Sequence, residues 1–155
     1  MSERDVQFAI GLCEREDRPI HRAVEPAILN RVKHLSEGDQ RLLSLAVTGR
    51  HTYREMAGLM GSNPGSVCRR VLLLTRRLSH PMVVALLERP IGLSEKYKHI
   101  GLQRYLFKRG VRPIARELEF TEREIRAILN YLVKWMRMSR EVANETDTKR
   151  KKIVA

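Results

Sequence analysis

The sequence predicts an all-α protein, with two tandem three-helix units behind an N-terminal helical extension. Three observations point there. Apolar residues recur at spacings of three and four, as in Val67, Val71, Leu74 and Leu78, the period that gathers them on one helical face. Aromatic residues make up only 5% of the 155 positions, so the core must come from aliphatic side chains packed between helices. The chain also repeats itself, because Leu35-Ser36-Glu37 returns as Leu93-Ser94-Glu95, displaced by 58 positions.

At that displacement, without gaps, Leu42 meets Ile100, Arg54 meets Arg112, Met56 meets Ile114 and Ala57 meets Ala115. The match continues with Met60 and Leu118, Val67 and Ile125, Val71 and Leu129, Leu74 and Leu132, and Leu78 and Met136. Few of these are identities. What is preserved is an apolar register, which is the mark of one supersecondary unit used twice.

Residues 1–34 form the extension, with a stripe of Val6, Ala9, Ile10 and Cys13 and a second helix opened by Pro26 and carrying Ala27, Ile28, Val32 and Leu35. The first unit spans 35–80. Ser36 is suited to an N-cap, and Ser36 with Asp39 approximates a capping box. Its first helix is expected to run to Thr48 and end at Gly49, where a glycine suits a left-handed terminator. A short helix near Thr52–Met60 follows, then a turn at Gly61, then a long helix capped by Asn63 with Pro64 in its first turn. Residues 81–92 are a linker or short helix. The second unit, 93–140, has Ser94 as cap, a helix to about Lys108 ended by Gly110, and a short helix near Arg112–Leu118. Glu119 then stands where the first copy has its turn glycine, before a second long helix. Residues 141–155, with Lys149-Arg150-Lys151-Lys152, form a basic flexible tail.

Charge gives this arrangement a direction. The net charge is +12, which favours a polyanionic partner. Residues 1–35 are neutral, with six basic and six acidic side chains. Residues 36–81 carry seven basic and three acidic groups, and 96–140 carry twelve and four, so the excess falls in the two repeated units. Cys13 and Cys68 lie far apart, which argues against a structural disulfide or zinc site and for a reducing compartment. The polar N-terminus lacks a signal-peptide pattern, and no apolar run approaches a membrane span. His21, His34, His51, His80 and His99 are scattered, with no phosphate loop, nucleophile elbow or acidic cluster. The expectation is therefore no enzyme, no catalytic or metal-binding residue, no cofactor and no membrane association.

The short-helix, turn, long-helix pattern is that of a helix-turn-helix, in which a small residue sits where the helices touch; Ala57 and Ala115 occupy that place. The segment from Leu35 to Leu78, above all Glu55-Met56-Ala57 and Gly61-x-x-Pro64-Gly65-Ser66-Val67, resembles the fourth conserved region of bacterial sigma factors, the module that recognises a promoter element. Ser62 and Cys68 depart from that family's usual residues, and nothing here resembles the sigma region that grips core polymerase and melts the promoter. The resemblance therefore implies a sigma-like or phage-type regulator rather than a complete sigma factor.

Helical angles of 100° per residue sort the long helices. In the first, Arg69 and Arg76 lie opposite the core stripe, flanked by Ser66, Arg70 and Arg77. Leu72 and Leu73 fall toward the outer half, an awkward place for a free helix. In the second long helix Ile125, Ile128, Leu129, Leu132, Trp135 and Met136 face inward, and Arg123, Arg126, Ala127, Asn130, Lys134 and Arg137 face out. Arginine to guanine and asparagine to adenine are bidentate pairings of the major groove. The candidate DNA-binding set is thus Asn63, Ser66, Arg69, Arg70, Arg76, Arg77, Arg123, Arg126, Asn130, Lys134 and Arg137. The expected function is sequence-specific recognition of double-stranded DNA by a cytoplasmic, nucleoid-associated transcription regulator. RNA polymerase as a further partner and pairing of two chains stay open. The rival is a module that docks on RNA polymerase or another regulator, with DNA binding secondary.

Overall fold

A computed structural model describes residues 28–154, with side chains from 28 to 139. The stripe proposed for Val6–Cys13 and the tail's basic side chains lie outside the described residues. Among the described residues every regular element is a helix. The chain divides into two compact units, Met1–Ser79 and His80–Ala155.

In the first unit, α1 (Leu29–Val32), α2 (Glu37–Thr48), α3 (Tyr53–Leu59) and α4 (Pro64–Leu78) enclose an aliphatic core. Leu42, Leu43, Met56, Val71 and Leu78 are completely buried, and Val67 and Leu74 nearly so. Burying each such side chain contributes roughly 1.5–3 kcal/mol, and the spacing 67, 71, 74, 78 delivers four of them from one face of α4. The helix starts are set chemically. Ser36 Oγ accepts from the Asp39 N–H at 3.4 Å, but the Asp39 carboxylate does not complete the box: it takes the Ser36 hydroxyl and Arg70 Nε, at 3.1 and 2.7 Å. The complete box sits one helix later, where Thr52 Oγ1 accepts from the Glu55 N–H and the Glu55 carboxylate accepts from the Thr52 N–H at 2.7 Å. Gly49, at φ 61°, closes α2 as expected.

Two features of this unit were not legible in its pattern. Arg31 is buried and donates to the Leu78 carbonyl at 2.7 Å, tying α1 to the last turn of α4. Cys68, 1% exposed, takes part in a disulfide. That corrects the expectation against disulfides, and the cysteine count no longer argues for a reducing compartment. Cys13 lies outside the described residues.

The second unit contains α5 (Pro81–Glu88), α6 (Glu95–Tyr105), α7 (Val111–Glu117) and α8 (Glu122–Val154). The segment 81–92 thus holds a helix, opened by His80 Nδ1 accepting from the Met82 N–H. Its Met82 and Leu86 join Ile100, Ile114, Ala115, Ile125, Ile128, Leu132 and Trp135 in one core. Gly101 lets α6 approach closely: a Cβ there would stand 2.7 Å from Leu86 Cδ1 and 3.0 Å from Leu132 Cδ1. The Trp135 indole N–H donates to the Ile91 carbonyl at 3.0 Å, satisfying the polar edge of the one buried tryptophan. One expectation is corrected. Gly110 is extended at φ −70° and caps the start of α7, while Lys108, at φ 58°, takes the left-handed position after α6. Helix α8 continues to Val154 and so takes in most of the stretch read as a tail; no proline or glycine interrupts 121–155.

The displacement of 58 is carried by the backbone itself. Helices α3 and α7 have the same length, Tyr53–Leu59 and Val111–Glu117, and α4 and α8 begin at Pro64 and Glu122. Ser62 N–H bonds to the Ala57 carbonyl and Phe120 N–H to the Ala115 carbonyl, both at 2.9 Å. Between them sit the left-handed residues, Gly61 at φ 59° and Glu119 at φ 57°. This six-to-one closure around a left-handed residue is the Schellman arrangement.

Two outcomes follow. Left-handed backbone costs a side-chain-bearing residue roughly 1–2 kcal/mol, so Glu119→Gly should raise the unfolding free energy by about 1 kcal/mol and Gly61→Ala lower it by a similar amount, measured by urea denaturation. Arg31→Ala should cost about 1–3 kcal/mol, the penalty of stranding the Leu78 carbonyl, in the same assay; no change would remove Arg31 from the unit's support.

Candidate nucleic-acid interface

The site begins at the N-terminus of α4. Asn63 Oδ1 accepts from the N–H groups of Gly65 and Ser66, at 2.8 and 3.3 Å, so its carbonyl end serves as the helix cap. Pro64, with no N–H to satisfy, starts the helix. Ser66, Arg69 and Arg70 then follow on the exposed side. Arg69 Nε donates to the Gly65 carbonyl at 3.2 Å, which lays the side chain along the helix and leaves its terminal nitrogens for other work. Arg70 is committed differently, through its 2.7 Å pair with Asp39. No acidic residue lies in the first turn of α4.

Asn63, Ser66, Arg69 and Arg70 fall within two turns of one helix end, and the structure brings these four together. Arg76 and Arg77 sit further on. At 1.5 Å per residue, Arg76 is about 15 Å along the axis from Ser66, more than the roughly 12 Å width of a major groove. Arg76 is exposed and Arg77 half-buried. Leu72 is half-buried and Leu73 42% exposed, so the outer apolar edge of α4 is partly covered.

On α8 the residues Arg123, Arg126, Asn130, Lys134 and Arg137 are all exposed and share one face. Their setting differs from that on α4. The first turn of α8 contains Glu122 and Glu124. The Glu124 carboxylate accepts from the Thr121 N–H and hydroxyl, both at 2.8 Å, while Thr121 Oγ1 accepts from the Glu124 N–H. Glu122 holds Arg126 Nη2 at 2.7 Å and Arg112 Nε at 3.4 Å. Arg126 therefore meets solvent already paired. Lys134 and Arg137 lie about 17 and 21 Å beyond Arg123 along the axis.

The basic excess of this unit is concentrated elsewhere as well. A cavity of about 310 Å³ is lined by Arg109, Arg112, Pro113, Arg116 and Glu117. Its residues lie on the short helix α7 and the loop before it, away from the long-helix faces. The signal in the sequence is Arg112-x-x-x-Arg116, a one-turn spacing on the exposed side of α7. Among the described residues no group of His, Cys, Asp and Glu could hold a metal ion, and no helix is long and apolar enough to cross a membrane. No family model, curated protein or solved structure matches the chain.

The capping carboxylates of α3 and α8 have a pH signature. The Thr52 backbone N–H, then its hydroxyl, hold Glu55 below the usual glutamate value, and Thr121 does the same for Glu124. A carboxylate depressed on folding contributes stability that is present above its unfolded pKa and lost as pH falls through the folded one. The Thr52 and Thr121 amide resonances should therefore shift with midpoints below that of a free glutamate. Midpoints at or above that value would count against both boxes, and Glu55→Gln should abolish the Thr52 transition.

Proposed function

We propose that this chain is a double-stranded-DNA-binding transcription regulator of sigma-like or phage type, working in the cytoplasm on the nucleoid, and that it is not an enzyme. The observation that carries the reading is the paired turn: twice, a seven-residue helix ends on a left-handed residue and leads into a long helix with a basic outer face. That geometry holds a helix by one side and presents the other, which is what insertion into a major groove requires. The resemblance of residues 35–78 to the promoter-reading region of sigma factors supports the first unit as the reading head.

The first unit is the better reader. Its α4 opens without carboxylates, so its N-terminal dipole and Arg69 face phosphate and base edges unopposed. Asn63 and Ser66 contribute at the same end. Arg76, Arg77, Lys134 and Arg137 are too far along their helices to share that groove with the N-terminal residues, and are assigned to phosphate contacts. Arg123, Arg126 and Asn130 form the corresponding set of the second unit. The rival, a docking module for RNA polymerase, shares the fold but not the electrostatics of duplex binding.

Selection of bound sequences from a random duplex pool at near-physiological salt tests the proposal. An enriched site and a log K that falls steeply with log salt are expected. No enrichment and little duplex affinity would leave the docking reading instead. Arg69→Ala should weaken the preferred site by about 1–3 kcal/mol while sparing random sequence; equal loss on both would make Arg69 a phosphate contact.

A further inference from the structure

The cavity on α7 lies apart from the outward faces of the two long helices. Two guanidiniums, Arg112 and Arg116, stand one helical turn apart with Pro113 between them, and Arg109 enters from the preceding loop. The three are not equivalent. Arg109 has both terminal nitrogens committed: Nη1 donates to Gln103 Oε1 at 3.0 Å and Nη2 pairs with Glu117. It supplies positive charge and a fixed wall. Arg112 is held through Nε by Glu122 at 3.4 Å, and its terminal nitrogens take no part in that ion pair. Arg116 is exposed and makes no ion pair or hydrogen bond among the described residues. The lining thus offers two guanidinium ends, that of Arg112 positioned by Glu122 and that of Arg116 unbonded, over a cavity with three positive groups and one carboxylate, Glu117.

That chemistry suits one class of ligand. A planar guanidinium matches two oxygens of a phosphate, and a pair of them rising from Cβ positions about 5–6 Å apart on one helix face, with a third charge behind, fits a tetrahedral oxyanion better than an apolar group. The 58-residue repeat gives an internal comparison. In the first unit the equivalent positions are His51, Arg54 and Gly58, so only Arg112 has a basic counterpart of its own kind and the arginine pair is peculiar to the second copy. We propose that the cavity bounded by Arg109, Arg112 and Arg116 is a phosphate-binding site, in which Arg112 and Arg116 make the contacts while Glu117 holds Arg109 and Glu122 holds Arg112 in place. Resting on the DNA-binding reading, the phosphate is a backbone phosphate of the duplex, and the second unit grips where the first reads. A free polyphosphate shares the chemistry and is the other source.

The test uses the full chain and compares Arg112→Ala/Arg116→Ala with Arg50→Ala/Arg89→Ala, which removes two exposed charges outside the site. All four side chains are at the surface, and circular dichroism verifies the fold of both variants. On duplex DNA, the cavity variant should reduce the magnitude of the slope of log K against log salt by about 1, the loss of one phosphate contact, with equal loss on preferred and random sequence, while the control leaves the slope unchanged. In a second arm, inorganic pyrophosphate is titrated without DNA and the arginine Nε–H resonances are followed. A lowered slope without saturable pyrophosphate binding supports the site with duplex as its source. Saturable binding that the cavity variant abolishes supports it even where the wild-type chain binds no duplex, in which case the DNA reading fails and the site stands. Identical slopes for the two variants together with no saturable pyrophosphate shift overturn the site while leaving the DNA reading intact.

Discussion

Everything in this chain hangs on a turn of three residues. The Ser62 and Phe120 amides reach back to the carbonyls of Ala57 and Ala115 at 2.9 Å, and the intervening residue must turn left-handed for them to do so. That bond fixes where the short helix stops and the angle at which the long one leaves. Once the angle is set, Ala57 and Ala115 must be small because the two helices meet over them, and both are almost fully buried. Val67 and Ile125, the first buried residues of the long helices, then fall onto the core. The outward face of each long helix is a consequence of the same closure, since whatever lies opposite the core stripe is offered to the solvent.

The turn also explains why so much could be read from residue types, and why the rest could not. The apolar register at a displacement of 58 predicted helix starts that the backbone reproduces at Glu37 and Glu95, and at Pro64 and Glu122, because burial selects side chains by period and period is visible in a string of letters. The left-handed turn at Gly61 was legible because glycine marks it. Its equivalent is glutamate, which gives no such mark, and only the repeat pointed there. Gly110 misled for the converse reason: glycine is equally at home in extended backbone, and at φ −70° it caps a helix start. Arg31 was invisible for a different reason. Arginine is rarely buried, and its partner, the Leu78 carbonyl, lies 47 residues away, so nothing local signals that the two will meet. The cavity on α7 escaped because a seven-residue helix presents too few positions for its outer face to stand out against its buried Ile114 and Ala115.

A common scaffold has therefore been furnished in two ways. In the first unit the long helix opens with Asn63-Pro64-Gly65-Ser66, a start capped by a neutral amide. In the second it opens with Thr121-Glu122-Arg123-Glu124, where the Thr121 hydroxyl caps the Glu124 N–H and the Glu124 carboxylate takes the Thr121 N–H. Both satisfy the orphan N–H at the equivalent position, Ser66 in one and Glu124 in the other, so helix formation is served by either. Approach of a polyanion distinguishes them. A carboxylate at a helix start is favourable to the helix dipole and unfavourable to an incoming phosphate, so the second unit strengthens its helix at the expense of that helix end as an anion contact. The Glu122 carboxylate shows how the cost is redistributed: it ties Arg126 down, and with its other oxygen steadies Arg112. A backbone repeated in both units and divergent in its first-turn charges accords with the division of tasks in the proposed DNA-binding function, in which the uncharged helix start would approach base edges and the arginines of α7 would hold phosphate.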